Sequence, residues 1–266
     1  MHGPRSDGIG ATGEAHRSGS LGLIGFSSRS DVYERGRPGY PPELIELLAE
    51  VAGLGPGCRA LDLAAGTGKL TRQLQAAGAQ CVAVEPSTTM REVSGRVVGG
   101  LCLVGGTAEA LPLTSGSFDL VTVAQAFHWF EPATALPEMA RVLRREGTTA
   151  LVWNERDDRV AWVAELGQIM LMADRAPHRA GAEFLSVLES EGTFAPVTRH
   201  RFPFAVAMER TELVDLVASR SYVNILGADE RVGLLSRVEA LAATLDEPLV
   251  MPYVTEVLVG QMAKTR

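Results

Sequence analysis

The stretch Ala60-Leu-Asp-Leu-Ala-Ala-Gly-Thr-Gly-Lys-Leu-Thr71, with Glu85-Pro86 downstream, decides the fold. Arg59 to Ala64 is mostly apolar, as a parallel strand covered on both faces should be. Gly66 and Gly68 then let the backbone take sharp dihedrals and leave no side chain between main chain and ligand. From Lys69 to Ala77 apolar residues recur at helical spacing, and Gly78 supplies a C-terminal cap. A second apolar run, Cys81-Val-Ala-Val84, ends at Glu85, 17 residues beyond Gly68. Strand, glycine turn, helix and a strand ending in a carboxylate make a nucleotide-cofactor site of the doubly wound α/β type. A carboxylate in the position of Glu85 can accept both hydroxyls of a ribose.

A nicotinamide dehydrogenase uses the same logic, so the glycines alone decide little. Two features point elsewhere. Asp62 lies inside the strand just before the turn, and Thr71 stands where the third dehydrogenase glycine would be. No pyrophosphate-cradling Gly-x-Gly-x-x-Gly remains. A cofactor with a ribose and a zwitterionic amino acid, but no phosphate, fits better.

The turn resembles motif I of the class I S-adenosylmethionine-dependent methyltransferases, commonly Asp-x-Gly-x-Gly-x-Gly, with Ala64 where many relatives have the first glycine. Gly106-Thr-Ala-Glu-Ala-Leu-Pro-Leu113 resembles the segment that folds over adenine. Ser117 to Ala126 resembles the fourth strand with its catalytic-face end, Glu138 to Leu143 the following helix, and Ala150-Leu-Val-Trp-Asn154 the fifth strand. Tyr33-x-x-x-Arg-Pro-x-Tyr-Pro41, Phe127-His-Trp-Phe130, Trp153-Asn154, Ser219-Arg-Ser-Tyr222 and Pro252-Tyr-Val-Thr255 follow in an order similar to the type 11 group that includes trans-aconitate methyltransferase-like proteins. The likeness spans roughly residues 26 to 262.

It implies an α/β fold: a doubly wound, Rossmann-like, mostly parallel sheet of seven strands in the order 3-2-1-4-5-7-6, the last strand antiparallel, with helical lid insertions. Residues 1–24, rich in Gly, Ser, Arg and His, read as a flexible tail. One domain, 25–266, follows: a cofactor core over 26–154, a mostly helical lid over 155–247 that includes a strand at 199–206, and a final strand within 248–262. Helices are expected over Pro41–Glu50, Arg159–Ala173, Ala182–Glu191, Thr211 to about Tyr222, and Arg231–Leu245.

Site residues follow from the same likeness. Asp62, Ala64, Gly66, Thr67, Gly68 and Thr71 surround the turn, and Glu85 and Pro86 the ribose. Met90, Thr107, Ala108 and Glu109 should lie by adenine, where many relatives have an aspartate in place of Thr107. Gln125 and Ala126 should border the methionine end. Tyr33 and Arg37 belong to a motif that closes over the active site, and an arginine can bind a carboxylate in bidentate fashion. His128, at a strand end, is the candidate general base, or a donor to an acidic acceptor; a histidine capping the next helix is the plainer alternative. Trp129, Trp153, Tyr222 and Tyr253 are candidates for acceptor contacts.

Composition agrees with a soluble enzyme. Of 266 residues 46% are hydrophobic and 21% charged, enough for one large core. A net charge of −7 argues against nucleic acid, as does Gln-Ala-Phe-His128 where base-methylating relatives carry Asn/Asp-Pro-Pro-Tyr. No apolar run long enough for a membrane span, no secretion signal and no metal-ligand spacing is visible. Cys58, Cys81 and Cys102 read as buried reduced thiols, which suits a cytoplasm. The expected protein is thus a cytoplasmic monomer or homodimer that uses S-adenosylmethionine to methylate a small, acidic molecule, most readily at a carboxylate or hydroxyl oxygen. Transfer to nitrogen or carbon of a natural product, a non-catalytic cofactor-binding scaffold, and a nicotinamide oxidoreductase stay open at this point.

Overall fold

A computed structural model describes residues 38–171 and 181–262 of the chain. The first helix, α1 (Pro42–Ala52), begins with proline, whose missing amide is not needed there, and stops at Gly53 in the left-handed region (φ 64°). The cofactor half then alternates as expected: β1 (Arg59–Leu63), α2 (Lys69–Ala76), β2 (Gln80–Val84), α3 (Thr88–Val97), β3 (Cys102–Val104), β4 (Phe118–Ala124), a 3-10 turn (Phe127–Trp129), α4 (Pro132–Val142) and β5 (Leu143–Arg156). Beyond it come α5 (Ala161–Leu171), α6 (Gly181–Glu191), β6 (Phe194–Met208), α7 (Arg210–Ala218), α8 (Ser221–Asn224), α9 (Ala228–Ala243) and β7 (Leu249–Met262).

The strands form one sheet in the order β3-β2-β1-β4-β5-β7-β6. The first five are parallel, and β7 is inserted antiparallel between β5 and β6. This is the sheet that the motif likeness implies. Two strands are longer than the pattern suggested: one is β5, expected over Ala150–Asn154, which runs from Leu143 to Arg156. β6 was expected over 199–206, yet it pairs with β7 from Phe194 to Met208 apart from one irregularity near its start. Its exposed side chains give an edge strand little apolar signal.

Side-chain alternation divides the sheet into two faces. Leu61, Leu63, Val121, Val123, Leu151, Trp153 and Leu258 point to a core closed by α4 and α6. Ala60, Leu120, Ala150, Val152 and Val257 point to the other core, under α1 and α2. A third cluster joins Leu249, Met251 and Tyr253 of β7 to α5, α7 and α9, in the region expected as the lid. Helix α6, expected in that lid, instead buries Phe184 and Leu188 on the α4 face. The single helix expected from Thr211 to Tyr222 is two. Ser219 turns its hydroxyl back to the Leu216 carbonyl (2.7 Å), and Arg220 is extended (φ −70°, ψ 137°) before α8. Cys58 and Cys81 are buried, but Cys102 is exposed, because β3 is a three-residue edge strand. Among the described residues no helix is long and apolar enough to cross a membrane.

Candidate active site

Asp62 anchors the glycine turn. β1 and β4 pair with Asp62 opposite Thr122, so both side chains share the face under α2. Thr122 donates its hydroxyl to Asp62 Oδ1 at 2.9 Å, and Thr71, in the first turn of α2, donates to Oδ2. Asp62 is 1% exposed. Burial pushes its pKa up to about 6, against the pull of both threonine hydroxyls and the Thr71 amide. Thr71 therefore contacts the aspartate rather than its own helix. Thr67 is buried in the turn as well.

The backbone of the turn is shaped for close approach. Ala64 adopts φ 54°, a left-handed conformation that costs an L-residue about 1–2 kcal/mol. The glycine of many relatives would avoid that cost. Gly66 (φ 57°) faces open space, for a Cβ built there meets nothing within 4 Å. Gly68 (φ 83°) is closed in, since a Cβ there would come 2.6 Å from Val98 Cγ2 and 2.8 Å from Ser94 Oγ.

Glu85 ties β2 to this turn. Its Oε2 accepts from the Gly66 amide (2.9 Å) and its Oε1 from the Ser87 amide (2.8 Å). Burial raises its pKa, while those two amides and Arg91 oppose the rise. Arg91 of α3 clamps the Glu85 and Pro86 carbonyls at 2.7 and 2.8 Å, although Pro86 itself is exposed. Met90 is buried on the same helix, with its amide directed at the Ser87 hydroxyl (3.4 Å).

A cleft opens beside the turn, at the C-terminal ends of β1 and β4, where doubly wound sheets bind ligands. Asp62, Ala64, Gly66, Thr67, Lys69 and Gln125 line one side; Leu216, Arg220 and Tyr253 line the lid side; Pro38, Tyr40 and Asn154 complete the wall. Gln125 adopts φ 59°, a second left-handed non-glycine residue, and its side-chain amide points to the Asn154 carbonyl at 3.4 Å. Its neighbour Ala126 is buried at the start of the 3-10 turn. The Pro38–Tyr40 segment is pinned twice. Gln73 exchanges bonds with the Tyr40 amide (3.1 Å) and carbonyl (2.7 Å), and Asn154 donates to the Gly39 carbonyl (2.9 Å) while accepting from Thr255 (2.7 Å).

The segment Thr107–Leu113 is held from α4. Glu138 accepts from the Leu111 amide (2.8 Å), and Arg141 donates to the Leu111 and Leu113 carbonyls (2.9 and 2.8 Å). Thr107 and Ala110 form an isolated bridge, and Ala108 between them is buried. The Glu109 carboxylate accepts from the Glu131 amide (3.1 Å), which engages it at the start of α4.

The other expected positions divide. Tyr253 joins the cleft and stacks on Phe204 (5.4 Å between ring centroids). Tyr222 packs against the lid cluster. His128 and Trp129 are exposed on the 3-10 turn, rings 4.8 Å apart, and neither lines the cleft. Trp153 is turned to the opposite face of the sheet and stacks on Phe184 at 5.1 Å, so it belongs to the core. Tyr33 and Arg37 lie outside the described residues, as does the tail. Sequence reading missed Lys69 as a lining group, Thr122, Gln73, Asn154 as a wall residue, and the Arg91 and Arg141 clamps. Register alone could have found Thr122, which faces Asp62 across paired strands.

This donor set fits S-adenosylmethionine. Two buried carboxylates flank a backbone cradle with space over Gly66, and Thr71 stands where a third, pyrophosphate-binding glycine would be. Comparison with known proteins agrees. The profile described as "Methyltransferase domain" matches residues 61–151. An uncharacterized methyltransferase of Mycobacterium tuberculosis is 43% identical over 237 residues, 87% of this chain and 93% of its own. One from Schizosaccharomyces pombe is 30% identical over 226 residues, 84% and 90% of the two chains. The solved YcgJ protein of Bacillus subtilis superposes with a TM-score of 0.56 at 20% identity, over 85% of this chain and all of that one, a likeness of fold. The chain belongs to the class I methyltransferases, and its cofactor is S-adenosylmethionine.

Proposed function

We propose that this methyltransferase esterifies a carboxylate oxygen of a small acidic acceptor, and the observation that carries the reading is Arg220, which lines the cleft together with Tyr253. A guanidinium and a phenol together suit a carboxylate, one by charge and the other by hydrogen bonding. S-adenosylmethionine, when bound, supplies a methyl group already activated on its sulfonium. The protein has then to align an oxygen with it and exclude water. An ionised carboxylate needs no base, which accords with His128 standing exposed outside the cleft lining. Arg220 and Tyr253 would orient the acceptor, and Leu216 of α7 would cover it.

On the cofactor side Glu85 would accept the ribose hydroxyls and Asp62 would face the amino group. Met90, Thr107 and Ala108 would border adenine, and Gln125 and Ala126 the methionine chain. Buried Glu85 and Asp62 and the open Gly66 cradle support these roles.

Replacing Arg220 by methionine is expected to raise KM for an acidic acceptor by about 10–100-fold, the worth of one charge-assisted hydrogen-bond pair. Cofactor affinity should stay unchanged. Screening small mono- and dicarboxylic acids, with mass analysis of the ester, supplies the assay. An equal loss on neutral acceptors would remove the acidic reading.

The Asp62 role carries a pH dependence. Its carboxyl titrates near 3.8 in the unfolded chain and at about 6 in the fold, so the folded protein binds the extra proton across that window. The stability this adds is present at low pH and is lost as pH rises through about 6. A cationic amino group needs the ionised form and reverses the preference. Cofactor affinity should therefore fall as pH drops below about 6, and Asp62→Asn should flatten that fall. Titration calorimetry across the window checks it; the same slope in the asparagine variant would separate Asp62 from the amino group.

A further inference from the structure

We infer that Lys69 binds the carboxylate at the amino-acid end of the cofactor, a contact that completes the recognition of a zwitterion begun by Asp62. The inference rests on the cofactor and on the role given to Asp62, and it is independent of the acceptor.

Lys69 is the first residue of α2, directly after Gly68, and its half-buried side chain lines the cleft together with Asp62, Gly66 and Gln125. Helix electrostatics does not call for it. The first turn of a helix favours anions, and a lysine there opposes the dipole. The placement is explained by what the cleft must hold. S-adenosylmethionine carries its ammonium and its carboxylate on one carbon. The charged groups flanking the turn from β1 and β2 are Asp62 and Glu85, both anionic and both buried. They favour the ammonium and repel the carboxylate. A neighbouring cation on the same turn removes that repulsion, and Lys69 is the cationic residue there.

The cleft presents one other cation among the described residues that line it, Arg220, and it lies on the lid side. Two carboxylates are available in the reaction, that of the cofactor and that of an acidic acceptor. Sequence and fold pair Lys69 with the first, because it leaves the turn that cradles the cofactor, and Arg220 with the second.

The test needs no acceptor. S-adenosylhomocysteine and its decarboxylated analogue, which keeps the amine, are titrated calorimetrically into the wild type, Lys69→Met and Lys69→Arg. The wild type should favour S-adenosylhomocysteine by about tenfold, as expected for a charge-assisted contact. Lys69→Met should lose that preference, with affinity for the decarboxylated analogue kept within about twofold. Lys69→Arg should retain most of it, and serves as the reading variant if the methionine form does not fold. A preference that survives in both variants overturns the inference. So does an equal loss for both ligands, which would make the lysine structural.

Discussion

Glu85→Ala is expected to weaken S-adenosylmethionine and S-adenosylhomocysteine binding by more than about tenfold. The expectation rests on lone pairs. Each oxygen of Glu85 accepts one backbone amide, from Gly66 and Ser87, and each has capacity left for a hydroxyl. A hydrogen bond to an ionised acceptor is worth about 1.5–3 kcal/mol, so loss of even one exceeds the threshold. The two amides also fix the carboxylate in one orientation before the ligand arrives, and this cuts the cost of ordering it on binding. Glutamine is the informative companion. Its carbonyl can serve one amide, but its NH2 must face the other, donor against donor. Glu85→Gln should therefore disturb the turn as well as the ribose contact, and should bind no better than alanine does. Calorimetry with both ligands, beside a thermal melt to confirm folding, gives the answer. Unchanged affinity in the alanine variant would remove Glu85 from the ribose role.

The fold was legible where one residue type in one place has few explanations. Gly66, Gly68 and Glu85 mark the turn and the end of β2, and the parallel sheet follows from them. Where several chemistries share a residue type, the sequence left the orientation of the side chain open. Trp153 was taken for an acceptor contact, yet strand alternation puts it on the face of Leu151 and Leu61, while Asn154, one residue on, falls on the face of the cleft. That outcome was available from parity, since Asp62, Thr122 and Asn154 share it across the paired strands. The placement of His128 has a different cause. A strand end predicts the neighbourhood of a cleft, but the 3-10 turn at Phe127–Trp129 buries Phe127 and leaves His128 outward. The supporting bonds were not legible at all. Gln73 to Tyr40, Asn154 to Gly39 and Arg141 to Leu111 join residues far apart in sequence, and a glutamine on a helix carries no mark of what it will hold.

Two glycines separated by one residue should respond to alanine in opposite ways. At Gly68 the new methyl would sit 2.6 Å from Val98 Cγ2 and 2.8 Å from Ser94 Oγ, in a backbone at φ 83°. Left-handed strain of about 1–2 kcal/mol adds to overpacking of about 1–3 kcal/mol. For a chain of this size the melting temperature should drop by about 5–15 °C. At Gly66 the methyl meets nothing within 4 Å, so the strain at φ 57° stands alone and the melt should fall by only about 2–6 °C. On the proposed reading that same open space is where the cofactor approaches the Glu85-bonded amide, and a methyl there would exclude it. Gly66→Ala should thus lose cofactor affinity by more than about tenfold at nearly native stability, because ligand contacts are forfeited and no core contact is. Ala64 shows that the chain tolerates alanine in the left-handed region two residues earlier, so Gly66→Ala should fold. Paired melts and titrations of the two variants decide the matter. Wild-type affinity in Gly66→Ala would mean that the cofactor does not use the space over Gly66, and equal destabilisation of the two variants would mean that the Val98 and Ser94 contacts yield without cost.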